Sequence, residues 1–151
     1  MSSRTALLFS AALVGLSLLA PASAAAPTLN LDQYHGKIVY LDFWASWCKP
    51  CRHSFPWMND MQKKYGADGL VIVAVNLDEQ QADAEKFLHQ TPADFTIVYD
   101  PQGKLAEQYQ IIGMPSSFII GRDGQVVKKH QGFFDDSPQK YEAELVELLH
   151  K

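Results

Sequence analysis

Residues 37–56 read KIVYLDFWASWCKPCRHSFP. The opening stretch, Lys37 to Trp44, is a β-branched and aromatic run of strand length, apolar enough for a strand buried on both faces. Asp42 interrupts it. Past Trp47 the pattern changes period. Pro50 suits the first turn of a helix, and Phe55, Met58, Met61 and Tyr65 recur at helical spacing before Gly66 and Gly69 close the segment. Pro56 falls inside that helix and is expected to kink it. A buried strand running straight into a helix puts the turn between them at the C-terminal edge of a sheet, where open α/β sheets carry their sites. That turn holds Cys48 and Cys51, the two cysteines of the chain.

The same reading extends outward. Residues 25–36 form a short lead-in that ends at a Gly36-Lys37 turn, and Leu70 to Leu77 is a second buried strand. Asp83 to Gln90 reads as a helix, Phe95 to Tyr99 as a third strand, and Lys104 to Tyr109 as a short helix. Ser117 to Ile120 and Gln125 to Lys129 flank Gly121-Arg122-Asp123-Gly124, an Asp-Gly hairpin signal. Ser137-Pro138 caps a last helix with Tyr141, Leu145, Leu148 and Leu149 on one face. Strand, helix, strand, a further excursion, then hairpin and helix predict an α/β domain of three layers, a central sheet between helices.

Composition narrows the function. The chain has 151 residues, the size of one domain with a tail, and its formal charge is −4. Without residues 1–24, which carry Arg4 and no acid, the charge is −5, from 12 basic and 17 acidic residues. A nucleic-acid binder would show a basic face instead. Ala6 to Ala20 is an apolar run shorter than the ~20 residues of a spanning helix. Arg4 precedes it, Pro21 breaks it, and Ala22-Ser23-Ala24 forms a cleavage-type motif. Residues 1–24 are therefore expected to be a secretory signal and residues 25–151 the mature domain, in the periplasm or another extracytoplasmic, oxidising compartment. The same run kept as an uncleaved anchor is the alternative.

A Cys-Lys-Pro-Cys turn admits four readings. A structural staple is poor, because closing a two-residue gap removes little chain entropy. Haem attachment requires His directly after the second cysteine, and position 52 is Arg, with His53 one place too late. Structural zinc wants four ligands, and the five histidines (35, 53, 89, 130, 150) supply no close pair. A Cu(I) site stays open, since thiolate and thioether ligands suit it and Met114 is a candidate thioether. The redox reading is met most fully. A thiol pKa of ~8.5 falls at a helix N-terminus or beside a cation; Cys48 opens the predicted helix and Lys49 adds charge. Cys51, one turn further in, is placed to resolve a mixed disulfide.

LDFWASWCKPC, residues 41–51, resembles the active-site segment of the thioredoxin superfamily, with Pro56 at the helix-kinking position eight places after Cys48. Gly113-Met114-Pro115-Ser116 is similar to that family's cis-proline loop. The excursion between Asp78 and Gly113 resembles the TlpA/ResA-type extracytoplasmic oxidoreductases, which insert a strand and a helix into the thioredoxin core. The likeness covers nearly all of residues 28–150 and implies a thioredoxin-like fold, thiol-disulfide oxidoreductase activity through a Cys48–Cys51 disulfide, and no cofactor. It also implies a cis Pro115, a backbone at Met114 that meets an extended substrate, and substrate contacts at Trp47, Lys49 and Pro50.

Two departures matter. That subfamily often has glutamate three residues after the second cysteine, where this chain has Ser54, and asparagine on the preceding strand, where this chain has Asp42. The proton-handling carboxylate is therefore expected at Asp42, buried between Leu41 and Phe43, with a raised pKa suited to a base near neutral pH. The related peroxiredoxins want Thr or Ser where Ala45 stands, so peroxidase chemistry fits less well. Pro50 favours a reductase over a dithiol oxidase. A reductase in an oxidising compartment needs a membrane-bound thiol donor to recharge it, and protein disulfides as substrates. A copper metallochaperone and a non-catalytic binding module of the same fold are the remaining alternatives.

Overall fold

The computed structural model describes residues 29–133 and 138–151. The expected signal, residues 1–24, and Ser137, the expected cap of the last helix, lie outside the described residues. In chain order the elements are a 3-10 turn (Asp32–Tyr34), β1 (Ile38–Trp44), α1 (Lys49–Tyr65), β2 (Leu70–Asn76), α2 (Gln81–Gln90), β3 (Thr96–Tyr99), α3 (Lys104–Gln108), β4 (Ser116–Ile120), β5 (Val126–Gln131) and α4 (Pro138–Leu149).

The strands form one mixed sheet in the order β3-β2-β1-β4-β5. β1 pairs in parallel with β2 and antiparallel with β4, which makes it the central strand and explains why all of IVYLDFW is buried. β5 is an edge, and its residues are exposed except His130, which is half-buried. Charged side chains protect such an edge, here Lys128 and Lys129 beside the exposed Val126 and Val127.

Strand alternation assigns the two cores. Ile38, Tyr40 and Trp44 of β1 pack with Cys51, Phe55, Met58 and Met61 of α1, Ala84 and Phe87 of α2, and Leu145 and Leu149 of α4. Val39, Leu41 and Phe43 point the other way, onto Leu105 of α3 and the lead-in residues Leu29, Leu31 and Tyr34. Helices therefore cover both faces, the three layers expected from the sequence. The stripe Phe55, Met58, Met61 is buried and Tyr65 packs half-buried beside it. Phe55 meets Trp44, Phe87 and Phe95 with ring centroids 4.7, 5.0 and 5.4 Å away.

Helix α1 continues through Pro56 to Tyr65. Gly66 keeps a right-handed backbone (φ −58°), and the reversal into β2 falls on Gly69, whose φ of +103° needs a residue without Cβ. Gly124 (φ +80°) does the same for the β4–β5 hairpin, closed by the Gly121 N–H donating to the Gln125 carbonyl at 2.8 Å.

Candidate active site

Cys48 is the N-cap of α1, with an extended backbone (φ −78°, ψ 105°), and Pro50 occupies the first turn. No acidic residue lies in that turn, so no acid of the helix's own first turn competes with the Cys48 sulfur for its free N–H groups. Cys48 and Cys51 form a disulfide, S–S 2.04 Å. Cys48 retains 5% exposure and Cys51 none, which leaves Cys48 as the sulfur a partner can reach.

The loop before Cys48 is clamped from the segment just after β2. The buried Asp78 carboxylate accepts from the Ser46 N–H at 3.0 Å, from the Ser46 hydroxyl at 2.9 Å and from the Asn76 side-chain amide at 2.8 Å. A buried carboxylate with this many donors is held in place by charge-assisted bonds. Sequence reading passed over Asp78, because an acid just past a strand looks like any loop residue until its partner 32 positions away is known.

In front of Cys48 opens a groove of about 510 Å³. Trp47, Lys49, Pro50 and Met114, all expected substrate contacts, line it together with Cys48. Ala106, Ile111 and Ile112 line it as well; these were not singled out from sequence, where α3 was read only as a short helix within the excursion between Asp78 and Gly113. Trp47 is 69% and Ile112 83% exposed, two large apolar side chains flanking the thiol. The Met114–Pro115 peptide is cis. Pro115 is buried behind the groove and its carbonyl accepts from the Gly132 N–H at 2.7 Å.

Asp42 is not in the groove. It sits on β1 between Tyr40 and Trp44, on the face that packs against Cys51, and is 1% exposed. Its Oδ2 has no hydrogen-bond partner. Burial pushes its carboxyl well above the usual carboxylate range. Ser54 is buried, and its hydroxyl donates to the Cys51 carbonyl at 3.0 Å; it is occupied by its own helix. His53 is exposed, and the Arg52 guanidinium lies over the Phe87 ring, 5.2 Å from its centroid. Among the described residues there is no group of three or more His, Cys, Asp and Glu side chains that could hold a metal ion.

The sequence profile of the Redoxin family matches residues 19–145. The chain is similar to the thiol-disulfide oxidoreductase ResA of Bacillus thuringiensis subsp. konkukian, 36% identical over 104 residues, 69% of this chain and 60% of the relative. To ResA of Bacillus subtilis strain 168 it is 33% identical over 109 residues, 72% and 61% of the two chains. It thus spans about three-fifths of the length of these relatives. Among solved structures, a candidate thiol:disulfide interchange protein DsbE of Chlorobium tepidum is similar with a TM-score of 0.77 at 51% identity, over 79% of this chain and 84% of that one. StoA of Bacillus subtilis is similar with a TM-score of 0.62 at 30% identity, over 72% and 81%. A profile spanning most of the chain, and solved relatives that share its mixed sheet and flanking helices, place this protein in the redoxin family with a thioredoxin-like fold.

Proposed function

We propose that the protein is an extracytoplasmic thiol-disulfide oxidoreductase that reduces protein disulfides through Cys48 and Cys51. The observation that carries this reading is a disulfide whose outer sulfur caps α1 and opens into an apolar groove. The names of the ResA, DsbE and StoA relatives agree with it. In the reduced enzyme the Cys48 thiolate, stabilised by the helix terminus, attacks one sulfur of the substrate disulfide and releases the other as a thiolate. Asp42 takes the Cys51 proton; Cys51 attacks Cys48; the Cys48–Cys51 bond forms and the second substrate thiolate leaves. The substrate gains two electrons and the protein loses two.

Trp47, Lys49, Pro50 and the Met114 backbone hold an extended segment of the client, and the exposed Trp47 and Ile112 favour apolar residues beside its disulfide. The direction rests on opposing effects. The helix terminus favours a stable thiolate, the property of an oxidant, whereas a carboxylate at Asp42 behind the pair opposes it. Residues 1–24 act as the export signal, and a membrane-bound thiol donor restores the dithiol. No helix among the described residues is long and apolar enough to cross a membrane.

Equilibration of the purified protein with glutathione buffers tests the reading. A reductase gives a potential nearer the thioredoxin value of about −270 mV, and a value of about −120 mV, that of a strong oxidant, overturns the direction. Turnover of insulin or a model disulfide that survives Cys48→Ala overturns the activity.

A further inference from the structure

The mechanism leaves Asp42 with a transport problem. Asp42 is 1% exposed, and burial raises its carboxyl pKa, so a proton it accepts from Cys51 needs a route out of the core. A client in the groove covers the Cys48 side. On β2 the residue opposite Asp42 is Ala74, which carries no proton. On the other flank the register aligns Asp42 of β1, Ser117 of β4 and His130 of β5 in one row across the sheet, and residues in such a row share a face.

Polar groups line that row outward from Asp42. The buried Tyr40 hydroxyl reaches diagonally across to donate to Ser117 Oγ at 2.9 Å, at the level of Asp42. Ser117 is 4% exposed, and the hydroxyl that accepts from Tyr40 has its own proton to give. His130 Nδ1 is buried and has no hydrogen-bond partner. Its Nε2 lies 2.6 Å from Glu144 Oε2 on α4. The other Glu144 oxygen pairs with Lys128 at 2.9 Å, and Glu144 and Lys128 line a surface cavity of about 120 Å³ with Glu147. Two hydrogen bonds, Tyr40 to Ser117 and His130 to Glu144, thus lie along the row, and Asp42 Oδ2 and His130 Nδ1 are the buried polar atoms left open between them.

We propose that Tyr40, Ser117 and His130 are positioning residues that carry protons between Asp42 and solvent at Glu144 of α4, toward the β5 edge of the sheet. The inference rests on the reading of Asp42 as the base for Cys51. The Asp42 proton passes to the Tyr40 oxygen as the Tyr40 proton passes to Ser117. The Ser117 proton goes to His130 Nδ1, and the Nε2 proton goes to Glu144 and water. Each hydroxyl gains one proton as it loses one, so neither ionises, in keeping with the Tyr40 phenol that burial pushes far above its ordinary range. The titratable and charged groups around the row are Tyr40 and Asp42 on β1, Cys51 on α1, Lys128 and His130 on β5, and Tyr141 and Glu144 on α4. Burial pushes the Glu144 carboxyl up, and hydrogen bonds from Lys128 and His130 outweigh it, holding it below the usual range. That makes it a weak trap for the arriving proton.

The test uses reduced protein and 5,5′-dithiobis(2-nitrobenzoate). Attack by Cys48 releases one chromophore and resolution by Cys51 the second. Tyr40→Phe, Ser117→Ala and His130→Gln should each slow the second release about tenfold, less than the full ~10²–10⁴ that positioned proton transfer contributes. They should also shift its pH profile and enlarge its solvent isotope effect. Ser117→Thr, which keeps the hydroxyl, should retain the wild-type rate, and free imidazole should restore His130→Gly. If those three variants match wild type while Asp42→Asn is slow, the relay is wrong and the base reading stands. If Asp42→Asn matches wild type, both fall. Slowing that neither threonine nor imidazole reverses is a packing effect and overturns the relay.

Discussion

In the unfolded chain Asp42 ionises in the ordinary carboxylate range, about 3.9; in the folded protein burial raises that value well above it. Because the native state binds the proton more tightly, stability is highest below the unfolded value and declines as pH rises toward the folded one. Asp42→Asn removes this linkage. The variant should gain stability over wild type as pH rises from 4 toward neutrality, by up to about 1.4 kcal/mol per pH unit between the two pKa values; denaturant midpoints of both proteins at several pH values check it. Taking the difference cancels the opposite trend from Glu142 and Glu144, whose lowered carboxyl pKa values add stability that is lost as pH falls. Asp42 was legible in the sequence because one acid in an apolar strand is conspicuous. Tyr40 was not. A tyrosine in such a run reads as core, and its partner Ser117 is 77 positions away.

Helix α1 packs on the sheet through Phe55, Met58 and Met61, and Phe55 is fully buried among Trp44, Phe87 and Phe95. Phe55→Ala should cost about 3–5 kcal/mol of unfolding free energy by the lost contacts and the cavity left behind, measured by urea denaturation. Helix α3, which walls the groove with Ala106, has only five residues and depends on one side chain. The fully buried Asp100 carboxylate accepts from the N–H groups of Lys104, Leu105 and Ala106 at 2.9, 2.8 and 3.0 Å. Asp100→Ala should lower stability by about 1–2 kcal/mol and speed hydrogen exchange in α3 while α1 stays protected. The existence of each strand and α-helix was readable from period and turn residues, and their ends moved by a residue or two, whereas the 3-10 turn Asp32–Tyr34 lay inside what read as a plain lead-in. Strand β5 runs to Gln131 rather than Lys129, because pairing with Ser116 and Ser117 extends it past its apolar residues.

Two apolar cores on opposite faces of one sheet hold the molecule together independently of the two-residue disulfide loop. The reduced protein should therefore keep its far-ultraviolet circular dichroism and unfold cooperatively. The proposed reductase direction requires the oxidised form to be the more stable of the two, since a strong oxidant is one whose reduced form is stabilised. Thermal melts of both forms decide it: a reduced form that melts higher contradicts the direction. Sequence alone determined the layers, the strand-to-helix turn and the two thiols in it, because hydrophobic period, glycine and proline act over a few residues. The sheet order, the clamp of Asp78 on Ser46, the place of Ala106, Ile111 and Ile112 in the groove and the row from Asp42 to His130 were decided only by tertiary structure. They join residues dozens of positions apart, and which strands lie side by side is set by how the whole chain buries its apolar faces.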